Sequence, residues 1–126
     1  SIANNTWTSL AFNTDIFNDK NIHSTVTNNT RLTTPIKGKY LIGGIVQWDA
    51  NSSGRREIGI SKNGTIISSI SQLPVTSPDF TSIPIQTVDV LNVNDYLELQ
   101  VFQSSGSAIN VKSSNTSPYF YMIKVG

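Results

Sequence analysis

The chain has 126 residues and no cysteine; 37% of it is hydrophobic, only 13% is charged, and the net charge is +1. That is one domain's length with enough apolar material for a core. It excludes disulfide scaffolds, thiolate catalysis and cysteine-type zinc sites, and near-neutrality excludes electrostatic capture of nucleic acid or of an anionic membrane. The missing charge is replaced by 17 Ser, 13 Thr and 13 Asn, which together with many β-branched residues describe an all-β, extracellular-style domain.

No stretch keeps a helical period for long, and the chain reads as short β-type runs separated by turn residues. Trp7 to Phe12 alternates, and polar turns follow at Asn13–Asp15 and Asn18–Asn21. Ile22 to Thr27 alternates weakly, Asn28-Asn29 turns, and Arg31 to Ile36 is extended with an edge bias from Pro35. Tyr40 to Trp48 is the strongest predicted strand. Tyr40, Ile42, Gly44, Val46 and Trp48 share one face and Leu41, Gly43, Ile45 and Gln47 the other, so it reads as an interior strand covered on both sides. Asp49 to Gly54 is a loop. Arg56 to Lys62 pairs with Thr65 to Ile70 across Asn63-Gly64, the strongest short-range hairpin signal.

Leu73 to Ile83, with Pro74 and Pro78 inside it and Pro84 just beyond, reads as a long loop. Ile85 to Leu91 is a strand, and Asn92–Asp95 turns into Tyr96–Gln103, where Leu97, Leu99 and Val101 oppose Tyr96, Glu98, Gln100 and Phe102. Ala108 to Lys112 is short, and Tyr119 to Val125 closes the chain. Nine or ten strands with frequent turns predict one sandwich or barrel domain over residues 1–126. No apolar run is long enough for a membrane span. The chain begins at Ser1, so it reads as a processed chain or as the C-terminal part of a longer one.

Five segments carry a resemblance: the run Asn28 to Ile42, which contains Arg31-Leu32, Pro35, Gly38 and Tyr40; Gly54-Arg55-Arg56; the hairpin Ile60-Ser-Lys-Asn-Gly64; and the later Leu91 to Val101 and Ser117 to Ile123. In order and spacing they resemble the C1q-like branch of the C1q/TNF superfamily. More narrowly, they look like the version found at the C-terminal ends of bacteriophage tail, fibre and virion-surface proteins and in some bacterial surface proteins. The resemblance implies an antiparallel jelly roll of about ten strands that assembles as a homotrimer, mostly a binding fold rather than a catalytic one. The acidic loop residues that hold calcium in some members have no match here.

The residues support assembly separately. Tyr96 and Phe102 lie opposite an apolar face, and aromatics of this size are costly to leave bare. The expected trimer interface is Tyr40, Trp48, Tyr96, Gln100, Phe102, Tyr119 and Tyr121. Trp48 beside Asp49, Asn51, Arg55 and Arg56 has the chemistry of a glycan site, an aromatic platform with hydrogen-bonding neighbours; core packing at a strand end is the equal alternative for Trp48. The loop at 71–84 is a second candidate. Asp49, Asn51 and Ser53 alternate but carry too few carboxylates for calcium, so no metal or other cofactor is expected. The single histidine, His23, lies in a polar segment and reads as a solvated side chain, and no carboxylate pair is placed for hydrolysis, so no enzyme is expected.

The resulting expectation is a virion-surface module of a phage tail or fibre that trimerises with itself and adheres to host-surface carbohydrate. The alternatives are a capsid-decorating or fibre-capping protein without a ligand, and a secreted or spore-surface bacterial protein of the same fold.

Overall fold

Val, Ile, Leu, Tyr and Phe at alternating positions fold into eight strands, with no helix among the described residues. The structure is a computed structural model that describes residues 1–76 and 79–126. The strands are β1 (Thr8–Ser9), β2 (Arg31–Thr33), β3 (Gly38–Trp48), β4 (Arg56–Lys62), β5 (Thr65–Gln72), β6 (Thr81–Leu91), β7 (Tyr96–Gln103) and β8 (Tyr119–Lys124). In the five-stranded sheet β7 pairs with β4 on one side and with both β1 and β2 on the other, and β5 lies outside β4. The three-stranded sheet runs β6–β3–β8. All pairings are antiparallel, and they nest: β4–β5 lies inside β3–β6, which lies inside β2–β7.

The inner faces make one core. Ile58, Ile60, Leu97, Leu99 and Val101 from the larger sheet meet Tyr40, Ile42, Val46, Trp48, Ile83, Ile85, Leu91 and Met122 from the smaller. Each large apolar side chain enclosed in this way stabilises the fold by about 1.5–3 kcal/mol. The β4–β5 hairpin turns at Asn63 and Gly64 with φ of 51° and 87°, the positive pair that the Asn-Gly sequence predicts. Asn63 also ties this hairpin to the turn before β7. Its Nδ2 donates to Asp95 Oδ1 at 2.9 Å, and its Oδ1 accepts from the Tyr96 N–H at 3.0 Å.

The strand count is eight among the described residues rather than about ten, and the differences have local causes. The strand expected at Trp7–Phe12 shrinks to Thr8–Ser9, because it shares one edge of β7 with β2. Ile22–Thr27 forms no strand; Asn18 and Ser24 side chains bond its backbone instead. Ala108–Lys112 makes only isolated bridges, Ile2 to Ile109 and Trp48 to Val111. The expected loop ends earlier, since β6 begins at Thr81 and takes Pro84 into the strand opposite Ile45. An edge strand tolerates a proline, and β6 is an edge. Pro78 lies outside the described residues.

Candidate functional site

The residues expected to bind a glycan do not form a surface site. Trp48 and Arg56 each have 0% of their surface exposed. Sheet alternation explains it, because Trp48 shares the inward parity of Tyr40, Ile42 and Val46 on β3, and Arg56 that of Ile58 on β4. The Arg56 guanidinium lies over the Trp48 ring, 5.9 Å from its centre. Its Nη1 donates to the carbonyls of Ser53 and Arg55 at 2.8 and 3.1 Å, and its Nη2 to that of Asn51 at 2.8 Å. Arg56 therefore anchors the 49–54 loop from inside, and burial lowers its pKa below that of a free guanidinium. Asn51 Oδ1 accepts from the Ser53 N–H, which spends the loop's turn chemistry on itself. Asp49 is half-buried, and only Arg55 of the five is exposed, paired with Glu57 at 3.1 Å.

The expected interface set divides into three places. Tyr40, 2% exposed, is a core residue whose hydroxyl donates to the Ile36 carbonyl at 2.6 Å; like Trp48 it has no surface to offer a neighbour. Tyr96, Gln100 and Phe102 do face outward from β7, half-buried, but the chain covers them itself. Arg31 lies over Tyr96 at 4.0 Å, Trp7 packs on Phe102 at 5.5 Å between ring centres, and Gln100 Nε2 donates to Ser9 Oγ at 3.0 Å. The N-terminal segment thus accounts for the partial burial of this aromatic side. Tyr119 and Tyr121 belong to the opposite outer face, on β8.

That opposite face is the candidate assembly surface. The register of β6–β3–β8 aligns Val88, Leu41 and Ile123 in one row, Gln86, Gly43 and Tyr121 in the next, and Pro84, Ile45 and Tyr119 in a third. Val88 and Val90 are each 53% exposed and Ile123 is 54% exposed. Adjacent exposed apolar side chains on one sheet face mark an interaction surface, whereas scattered ones do not. Gly43 makes the face possible: a Cβ there would collide with the Tyr121 phenol, which folds over it and accepts a 2.6 Å hydrogen bond from Gln86 Nε2. Tyr119 and Tyr121 pack at 5.9 Å, and an open hollow of about 430 Å³ runs from them past Ile45 and Pro84 to Ile70. Sequence reasoning missed Val88, Val90 and Ile123. The available signal was apolar residues at both parities of 85–91 and 119–125.

Two charged clusters hold the ends of the sandwich. Lys62 Nζ reaches Asp89 at 3.3 Å, the Val90 carbonyl at 3.2 Å and Asp95 at 4.0 Å. Asp95 also accepts bonds from Asn63 and from the Asn92 backbone, and with Lys62 these hold its pKa below the ordinary 3.8. His23 is pinned rather than solvated: Nδ1 meets Asp15 Oδ1 at 2.5 Å and Nε2 the Asn29 carbonyl at 2.9 Å. With Nε2 so occupied, no serine hydroxyl among the described residues completes a triad there. Among the described residues no group of three or more His, Asp or Glu is placed to hold a metal ion. No protein-family model and no curated protein matches the chain.

Proposed function

We propose that this protein is a self-assembling surface module: a homotrimer of C1q/TNF-like jelly rolls, displayed on a virion, that joins its chains and adheres to host carbohydrate. The observation that carries the reading is the uncovered apolar face of β6–β3–β8, with Val88, Val90, Tyr119, Tyr121 and Ile123 on it. A chain with so few charges gains from burying such a face against its own copies. The nested β4–β5, β3–β6 and β2–β7 pairings support the jelly-roll part, since they are what a long hairpin rolled into two sheets produces. The resemblance from Asn28 to Ile123 supports the C1q/TNF and virion part. Three identical weak sites on one trimer strengthen adhesion by about 10²–10⁴-fold where their spacing matches the target.

Size-exclusion chromatography with light scattering tests the assembly. The expected mass is three times that of the 13.8 kDa chain. The double variant Val88→Lys with Ile123→Lys is expected to run as a folded monomer with an unchanged far-ultraviolet spectrum. A wild-type monomer at micromolar concentration overturns the reading. A trimer that binds no carbohydrate leaves a purely structural role, decorating a capsid or capping a fibre.

A further inference from the structure

The outer face of the five-stranded sheet has a different chemistry from the apolar face behind it. The register places Ser9, Gln100, Gly59 and Ser69 in one outward row across β1, β7, β4 and β5. Gly59 leaves a gap in that row, and the Ile66 and Trp7 side chains fill it: a Cβ on Gly59 would stand 2.9 Å from Cδ1 of Ile66 and 3.2 Å from Cζ3 of the indole. An isolated glycine inside a strand marks such a close approach. Trp7 keeps 37% of its surface exposed, although it is packed against Phe102. Hydrogen-bonding groups stand around it: the Gln100 amide, the exposed Ser69 hydroxyl, and the Arg55–Glu57 pair, whose charges cancel and whose guanidinium lies 4.8 Å from the Phe102 ring centre.

We propose that this platform binds a neutral pyranose sugar, with Trp7 as the stacking surface and Gln100, Ser69, Arg55 and Glu57 as its hydrogen-bonding rim. The chemistry selects the ligand class. A lipid or an apolar protein segment needs continuous apolar surface, and that surface lies on the other sheet. An anionic polymer needs an unpaired cation, and Arg55 already holds Glu57. A pyranose ring offers what the platform lacks: C–H groups whose positive edges suit the negative face of an indole, and hydroxyls that both donate and accept. The inference rests on the adhesion half of the proposed function and relocates its site from Trp48 to Trp7.

The test is an array of defined neutral, sialylated and sulfated oligosaccharides probed with the full chain. Signal on at least one neutral hexose or N-acetylhexosamine oligosaccharide is expected, with a loss of at least tenfold for Trp7→Ala and a several-fold loss for Gln100→Ala. The bound sugar is also expected to protect tryptophan emission from iodide quenching, because Trp48 is enclosed and Trp7 is the accessible indole. The monomeric Val88→Lys, Ile123→Lys variant keeps the single-site affinity in solution and loses avidity on the array, so failure of assembly and failure of the platform are separable. No binding to any neutral sugar, binding only to acidic ones, or full binding by Trp7→Ala overturns the proposal.

Discussion

The guanidinium of Arg56 lies 5.9 Å from the centre of the Trp48 ring, and both side chains are fully enclosed. This buried cation is held by three backbone carbonyls and one aromatic face. Removing either partner therefore affects stability. Trp48→Ala is expected to cost about 3–5 kcal/mol through the cavity it leaves. Arg56→Ala is expected to cost about 2–4 kcal/mol, part of it from carbonyls left unbonded in the 49–54 loop. Urea titrations followed by circular dichroism check both. Sugar binding by the surviving folded fraction of either variant is expected to match wild type.

Gly43 and Tyr121 set the shape of the apolar face. Gly43→Ala puts a methyl group where the phenol lies and forces the ring outward, losing the bond from Gln86. The expected result is a subunit destabilised by about 1–3 kcal/mol, with weaker self-association in sedimentation velocity. Tyr121→Phe keeps the packing and loses only the hydrogen bond, so association close to wild type is expected from it.

Asp95 makes stability depend on acid. Hydrogen bonds from Asn63 and from the Asn92 backbone, then the Lys62 charge, lower its folded pKa below the ordinary 3.8. A carboxyl lowered by folding stabilises the native state above its unfolded pKa, and that contribution disappears as the pH falls through the folded value. The wild type should therefore lose stability as the pH drops from 3.8 downward. Asp95→Asn should be less stable at pH 7 and should show a flatter acid limb. Thermal unfolding at pH steps from 7 to 2 checks the sign.

The hairpin turn depends on backbone conformation. Gly64 has φ of 87°, which a β-branched residue adopts only with strain. Gly64→Val is expected to cost about 1–2 kcal/mol. Asn63→Ala also removes the two bonds that join the hairpin to Asp95 and Tyr96; losing the bond to Asp95 lets its folded pKa rise back toward 3.8, so the variant should be less stable at pH 7 and should show a weaker acid dependence than wild type. Denaturation of the two variants at pH 7 and pH 3 separates backbone strain from the electrostatic part.

Most of the strand pattern was legible because it is local. Tyr40–Trp48, Arg56–Lys62 with its Asn63-Gly64 turn, and Tyr96–Gln103 follow from period-two alternation and turn chemistry, and the structure places them as expected. The short strands were less legible, because Thr8–Ser9 and Arg31–Thr33 exist only where β7 offers a free edge. The candidate sites were the least legible. Trp48 and Trp7 look alike as residue types; parity on β3 turns Trp48 into the core, whereas Trp7 packs over Gly59 and Phe102 on the outer face.

By itself the amino-acid sequence determined that this is an all-β chain, where its long central strands run, and where the hairpin reverses, since these follow from side-chain alternation and backbone sterics within a few residues. Which apolar residues meet inside and which stay outside was decided only when β6, β3 and β8 came together. Val88 and Ile123 lie far apart in the chain, yet they flank Leu41 in a single row. Pairing between distant strands sets which chemistry each outer face collects, and no local pattern encodes that register.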